Sequence, residues 1–185
     1  MGRVVYSFSV SLDGFVNSPQ HTLDWAVIDE EVHAWFNDRA REAAAFVYGR
    51  RLYETMASYW PHAENDWAAT PQMRDFARIW NPMPKLVFSR TLEGVDWNSR
   101  LLRTDPSDEI ERLRDKVDGD LDIGGPTLAS ALVRRNLIDE YRLVVHPVIL
   151  GGGTPFFPPL DAPISLELSE TRTFRSGAVL LSYSR

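Results

Sequence analysis

Gly49-Arg50-Arg51 sets two guanidinium groups directly behind a glycine, between the apolar run Ala45-Phe46-Val47-Tyr48 and a run in which Leu52, Met56 and Tyr59 recur at roughly helical spacing. In a strand, tight turn and helix, that position combines free amide N–H groups, the positive end of the helix dipole and two cations, which is the chemistry of an anion site. A turn glycine followed by two solvated arginines fits the same local sequence. Ile123-Gly124-Gly125-Pro126-Thr127-Leu128 repeats the arrangement after Leu121-Asp122, and its missing Cβ atoms would let a pyrophosphate approach the backbone. It is not a GxGxxG motif, and helix-start geometry alone also accounts for a Gly-Gly pair. Lys85-Leu86-Val87-Phe88 emerges at Ser89-Arg90, a hydroxyl and a cation. Three such strand ends on one sheet suit a ligand with several phosphates, and an extra ribose phosphate favours NADPH over NADH.

Trp25, Trp35, Phe36, Tyr53, Tyr59 and Trp60 could wall a pocket for a flat heterocycle. Core packing is the competing reading: Phe36 is assigned to the core, whereas Trp25, Trp35, Tyr53 and Trp60 are kept as substrate-side candidates. His146 precedes Pro147 at a strand end and is read as a structural or interface residue. Gly151-Gly152-Gly153-Thr154 is read first as a turn before Pro155.

Composition removes other chemistries. Without cysteine the chain has no thiol nucleophile, disulfide or Cys-based metal site, so redox work requires a bound cofactor. Its four histidines, His21, His33, His62 and His146, form no HxxxH or HExxH pair, and no metal is expected. A formal charge of −6 with no Lys/Arg face argues against nucleic-acid binding. Val4 to Val10 is too short and too polar for a signal h-region, and no stretch approaches the ~20 apolar residues of a membrane span. A cytoplasmic protein acting on a small molecule is the expectation.

The elements that must position these residues follow from periodicity. Arg3 to Ser11 alternates as a strand and stops at Asp13-Gly14, and residues 15 to 28 read as loop. Asp29 caps a first helix carrying Val32, Trp35, Phe36 and Ala40. After the strand and helix around Gly49, a loop containing Pro61 leads to Thr70-Pro71, which opens a helix through about Trp80. Lys85 to Ser89 is an apolar strand, a less regular segment from Val95 to Leu102 supplies another, and Asp105-Pro106 starts a helix that closes before Gly119. A strand over 121–123, a helix with Leu128, Ala131, Leu132 and Val133, and a strand from Tyr141 to Ile149 follow. Ile164 to Glu170 and Ala178 to Ser184 close as an antiparallel hairpin. Alternating strands and helices followed by consecutive strands predict one α/β domain over 1–185, with a mostly parallel central sheet, helices on both faces and an antiparallel C-terminal edge. Ligands in such sheets bind at the strands' carboxyl ends.

Gly49-Arg50-Arg51-Leu52-Tyr53-Glu54-Thr55-Met56 resembles the Gly-Arg-x-Thr-x-Glu-x segment of dihydrofolate reductases, Lys85 to Arg90 their adenosine-side strand, and Ile123-Gly124-Gly125 their pyrophosphate turn. Trp25 and Ala34-Trp35-Phe36 echo the substrate side of that superfamily. Ser11-Leu12-Asp13-Gly14-Phe15 and His146 through Phe157 are more similar to its riboflavin-biosynthesis reductase branch, the RibD C-terminal domain. The resemblance covers most of the chain. It implies a three-layer dihydrofolate-reductase-like fold, NADPH as cofactor, a homodimer, and an oxidoreductase like the reductase for 5-amino-6-ribosylaminouracil in riboflavin biosynthesis.

By the same resemblance, Arg50, Arg51 and Arg90 would lie near the ribose phosphate, and Gly49, Leu52, Ser89 and Ile123 would also belong to the cofactor site. Gly124, Gly125, Pro126, Thr127 and Leu128 would hold the pyrophosphate, with nicotinamide and substrate meeting beside the first strand. Hydride transfer also needs a proton for the neighbouring heteroatom, and Asp13 is the polar candidate there, with a turn-capping carboxylate as its other reading. One departure matters. Val32 stands where dihydrofolate reductases carry an acid, and Glu31, one residue earlier, is turned by ~100° on a helix. The sequence therefore predicts an NADPH-dependent reductase of a heteroaromatic or carbonyl/imine substrate. Its alternatives are a catalytically silent NADPH-binding or sensory protein and a true dihydrofolate reductase.

Overall fold

A computed structural model describes residues 2–185 of the chain. The elements in order are β1 (Val4–Ser11), β2 (Phe15–Asn17), α1 (Glu30–Glu42), β3 (Ala43–Gly49), α2 (Arg50–Ala63), α3 (Pro71–Trp80), β4 (Lys85–Phe88), β5 (Ser99–Leu102), α4 (Pro106–Arg114), β6 (Asp120–Gly124), α5 (Pro126–Arg134), β7 (Glu140–His146), β8 (Thr154–Pro155), β9 (Glu167–Thr173) and β10 (Val179–Ser184). Eight strands form one sheet in the order β5-β4-β3-β6-β1-β7-β10-β9. The first six are mutually parallel, and β10 and β9 complete an antiparallel edge, as the closing hairpin predicted.

Alternation along the strands divides the core into layers. Val4, Tyr6 and Val10 of β1, Val47 of β3 and Leu121 and Ile123 of β6 pack beneath Ile110 of α4 and Leu128, Ala129, Leu132 and Val133 of α5. On the other face, Val32 and Trp35 of α1 cover Val144 and Leu180. Beside them, Ala40 of α1, Tyr53 of α2 and Trp80 of α3 cover Phe46, Tyr48 and Val87. Each large apolar side chain so buried contributes about 1.5–3 kcal/mol, so helices whose apolar stripes face the sheet are held there by transfer from water. Helices thus lie on both faces, giving the expected three-layer dihydrofolate-reductase-like architecture.

The structure corrects the sequence reading at four places. Pro61 lies inside the last turn of α2, not in a loop, where the helix forgoes the bond that its missing N–H cannot make. Strand β7 ends at His146, since Pro147 cannot donate to a ladder. Residues 15–17, read as loop, pair with residues 154–155 as a small ribbon that ties the ends of β1 and β7 together. Finally, β4 is not wholly apolar. Lys85 is buried, and its Nζ donates to the carbonyls of Trp80 (2.6 Å), Met83 (2.8 Å) and Trp97 (2.8 Å) while lying 3.9 Å from the Trp80 ring centroid.

Candidate cofactor and active site

Gly49 pairs in register with Phe88, and Tyr48 with Gly124, so the carboxyl ends of β4, β3 and β6 are adjacent. The three sequence segments with anion-binding character therefore meet along one sheet edge. There α2 starts on Gly49 and α5 on Gly125, and neither helix has a side-chain cap. In α5 the first intrahelical bond runs from Ala129 N to Gly125 O (3.0 Å), which leaves the amides of Thr127 and Leu128 ahead of it. Arg50 and Arg51 are exposed at the start of α2, and Arg50 also pairs with Glu54 at 3.1 Å. Arg90 is exposed just beyond β4, in a loop fastened by Arg103, which donates to the Arg90 and Leu92 carbonyls.

Several candidates have more structural roles than their sequence context implied. A Cβ at Gly124 would lie 2.5 Å from Leu52 Cδ2 and 2.8 Å from the Tyr48 ring, so this glycine admits the packing of α2 on β6. Gly125 is needed for its backbone, with φ +97°, and Leu52 packs on both glycines. Ile123 and Leu128 are buried in the core, which leaves only their backbone for a ligand. Ser89 Oγ accepts from the amides of Thr91 (3.2 Å) and Leu92 (3.0 Å), forming the turn after β4.

The aromatic candidates do not form one pocket. Trp35 is core, packed edge-on against Phe36 and Phe174. Tyr53 is buried, its hydroxyl accepting from Asp96 N at 2.8 Å. Trp60 packs on Phe76 and Tyr59 at the far end of α2. Trp25 stands by the carboxyl end of β7, its ring edge-on to His146 at 5.7 Å between centroids. Asp13 accepts from Ser11 Oγ (2.7 Å), Leu150 N (3.1 Å) and Gly151 N (2.8 Å). The Ser11 hydroxyl above all, with the two amides, holds its carboxyl below the usual range. These bonds suit a tie between loops rather than a proton donor.

Beneath α1, β1 and β7 present polar side chains that the sequence reading left out of the site. Leu121 and Ile123 face the opposite core, so Asp122 of β6 faces α1 together with Ser7 and Ser9 of β1 and His146 of β7. His146 is buried, with Nε2 3.1 Å from Ser9 Oγ and Nδ1 lacking a partner among the described residues. Burial pushes its pKa down, so the imidazole is neutral near pH 7. Asp122 is half-buried, and its carboxyl forms no hydrogen bond among the described residues. Burial pushes its carboxyl up to about 7, against the pull of Arg142 and with a smaller push from Asp120. The signal available in sequence was a carboxylate flanked by two apolar strand residues, but strand alternation alone does not say what the opposite face meets.

The site that dihydrofolate reductases would use for their acid is closed here. Val32 is fully buried in the core under α1. Glu31 accepts from Arg172 (2.7 Å) and from Arg175 N (3.0 Å), which bind α1 to the β9–β10 hairpin.

Fold and site edge define an α/β protein of dihydrofolate-reductase-like architecture. Within that class the pattern of the RibD C-terminal domain matches residues 3–180, and the chain belongs to that family. Protein YyaP of Bacillus subtilis (strain 168) is 29% identical over 182 residues, covering 98% of this chain and 94% of YyaP. A structure from Shewanella sp. PV-4, from a protein proposed to act in riboflavin biosynthesis, superposes with a TM-score of 0.75 at 23% identity, over 100% of this chain and 99% of that one. A Thermotoga maritima diaminohydroxyphosphoribosylaminopyrimidine deaminase/5-amino-6-(5-phosphoribosylamino)uracil reductase gives a TM-score of 0.67 at 15% identity, over 99% of this chain and 56% of that one. At these identities the two structures establish likeness of fold. No helix is long and apolar enough to cross a membrane among the described residues.

Proposed function

We propose that this chain is an NADPH-dependent reductase of a small heteroaromatic or carbonyl/imine substrate. Family membership supports reductase-type chemistry with a nucleotide cofactor. The observation that carries the finer reading is the pair of uncapped helix starts, Gly49 and Gly125, on neighbouring strand ends with Arg50, Arg51 and Arg90 exposed around them. Free amides and guanidinium groups at one edge favour a ligand with several phosphates. In this reading Arg50, Arg51 and Arg90 hold the ribose phosphate, and the amides of Thr127 and Leu128 the pyrophosphate. When bound, NADPH supplies the hydride. The chain binds and orients it, and the face of the sheet beneath α1 supplies the substrate with polar partners.

Fluorescence titration with NADPH and NADH tests the cofactor, with tighter binding of NADPH as the expected outcome. Equal affinities would remove the ribose-phosphate assignment. Reduction of a panel of carbonyl, quinone and cyclic imine compounds tests the chemistry. NADPH binding without oxidation across the panel would instead favour a silent binding protein. Dihydrofolate turnover is not expected, because Val32 is sealed in the core and Glu31 is committed to the hairpin. A homodimer, implied by the family resemblance, is checked by light scattering at micromolar protein.

A further inference from the structure

Asp122 differs from the other acids of the central strands. Asp120 and Glu140 are engaged by Arg3 at 2.7 and 2.8 Å, and Glu140 also accepts from Arg142 at 2.6 Å. Asp122, two residues nearer the carboxyl edge, has no such partner among the described residues and is not fully buried. Its register neighbour on β1 is Val5, so Ser7 is its diagonal neighbour on the same face. Ser7 Oγ is buried and likewise lacks a partner among the described residues. A carboxyl and a hydroxyl left without partners at diagonal positions on this face leave donor and acceptor capacity for a molecule entering under α1.

We propose that Asp122 is the proton donor of the reductase reaction, with the Ser7 hydroxyl orienting the atom that receives the proton. This rests on the NADPH-dependent reading above. As a C–H bond forms at the electrophilic carbon with the hydride that oxidises NADPH to NADP+, the C=O or C=N π-pair moves to oxygen or nitrogen. That atom takes the Asp122 proton, and the carboxylate regains one from solvent. A carboxyl held at about 7 is still substantially protonated at neutral pH, as an acid in this role must be. The groups that set this are Arg142 on β7, which favours the carboxylate, and Asp120 on β6, which opposes it. Tyr48 on β3 senses the Asp122 charge.

Carbon-13 NMR of the carboxyl groups in the cofactor-free protein tests the placement without turnover. A signal titrating near pH 7 should vanish in Asp122→Asn. Saturating NADP+ should lower its midpoint, because the cationic nicotinamide lies near, whereas adenosine 2′,5′-bisphosphate, which lacks that ring, should not. If both ligands bind and neither moves the signal, Asp122 is too remote and the proposal is overturned while the cofactor reading stands. If neither binds, the cofactor reading fails and takes this proposal with it. In turnover with menadione or a nitrobenzaldehyde, Asp122→Asn should lower kcat on the order of 100-fold with NADPH affinity unchanged. Unaltered kcat on both sides of pH 7 would also overturn it.

Discussion

Helices α1, α3 and α4 begin on a side chain that closes their first turn, whereas α2 and α5 begin on glycine with that place left open. Asp29 accepts from Val32 N, Thr70 from Met73 N and Asp105 from Ser107 N. Gly49 has nearly the same backbone, φ −82° and ψ 166° beside −69° and 164° at Thr70, so geometry would admit a capping residue there. The capped starts satisfy the chain's own amides and serve stability. The open starts stand together at one sheet edge, where donors not used by the chain are available to a phosphate. The contrast separates helices whose first turn is closed by their own side chain from helices whose first turn is left open, where the proposed cofactor would bind.

The sharpest attempt to break this contrast is Gly124→Ala. Its Cβ would stand 2.5 Å from Leu52 Cδ2 and 2.8 Å from the Tyr48 ring, and displacing them should cost about 1–3 kcal/mol of stability in urea denaturation. A stability equal to that of the parent chain would mean that α2 is not tightly seated on β6. Next in size, Arg50→Ala with Arg51→Ala should weaken NADPH binding about tenfold or more and NADH binding little, as read by fluorescence titration. Asp105→Ala removes the α4 cap and should cost about 1 kcal/mol of stability while leaving NADPH affinity unchanged, which locates capping and ligand binding in different helices. The smallest expected effect is the most diagnostic. Gly49→Ser would place a cap on α2, and its Cβ has room at 3.8 Å from Leu128 Cβ. Thermal unfolding should show a gain of a few tenths to about 1 kcal/mol together with weaker NADPH binding, because the new hydroxyl occupies an amide that the phosphate needs.

A further expectation concerns pH. Asp122 binds its proton more tightly folded than unfolded, so stability should fall as pH rises from the ordinary carboxylate range to about 7. Asp122→Asn should flatten that slope in denaturation curves collected across the range.

Most of the fold was legible because local periodicity and capping chemistry are local facts. Asp29, Thr70-Pro71 and Asp105-Pro106 each mark a helix start in the sequence and cap one in the structure. Pro61 misled because proline reads as a breaker, yet α2 carries it within its last turn. The aromatic residues were less legible for a different reason. Trp35 and Trp25 are chemically alike, and what separates them is Phe174 and Val144 on one side and His146 on the other, partners contributed from far along the chain.

Sequence by itself determined the succession of central-sheet strands and helices, the absence of thiol chemistry, and the three strand ends that carry glycine or arginine. Tertiary structure decided that those strand ends adjoin, that Gly124 is fixed by Leu52 and Tyr48, and that the Asp13 carboxyl is hydrogen-bonded while that of Asp122 has no partner among the described residues. The physical reason is common to all of these. Propensity and periodicity act over a few residues, whereas burial and hydrogen-bond satisfaction depend on which strands the sheet sets side by side.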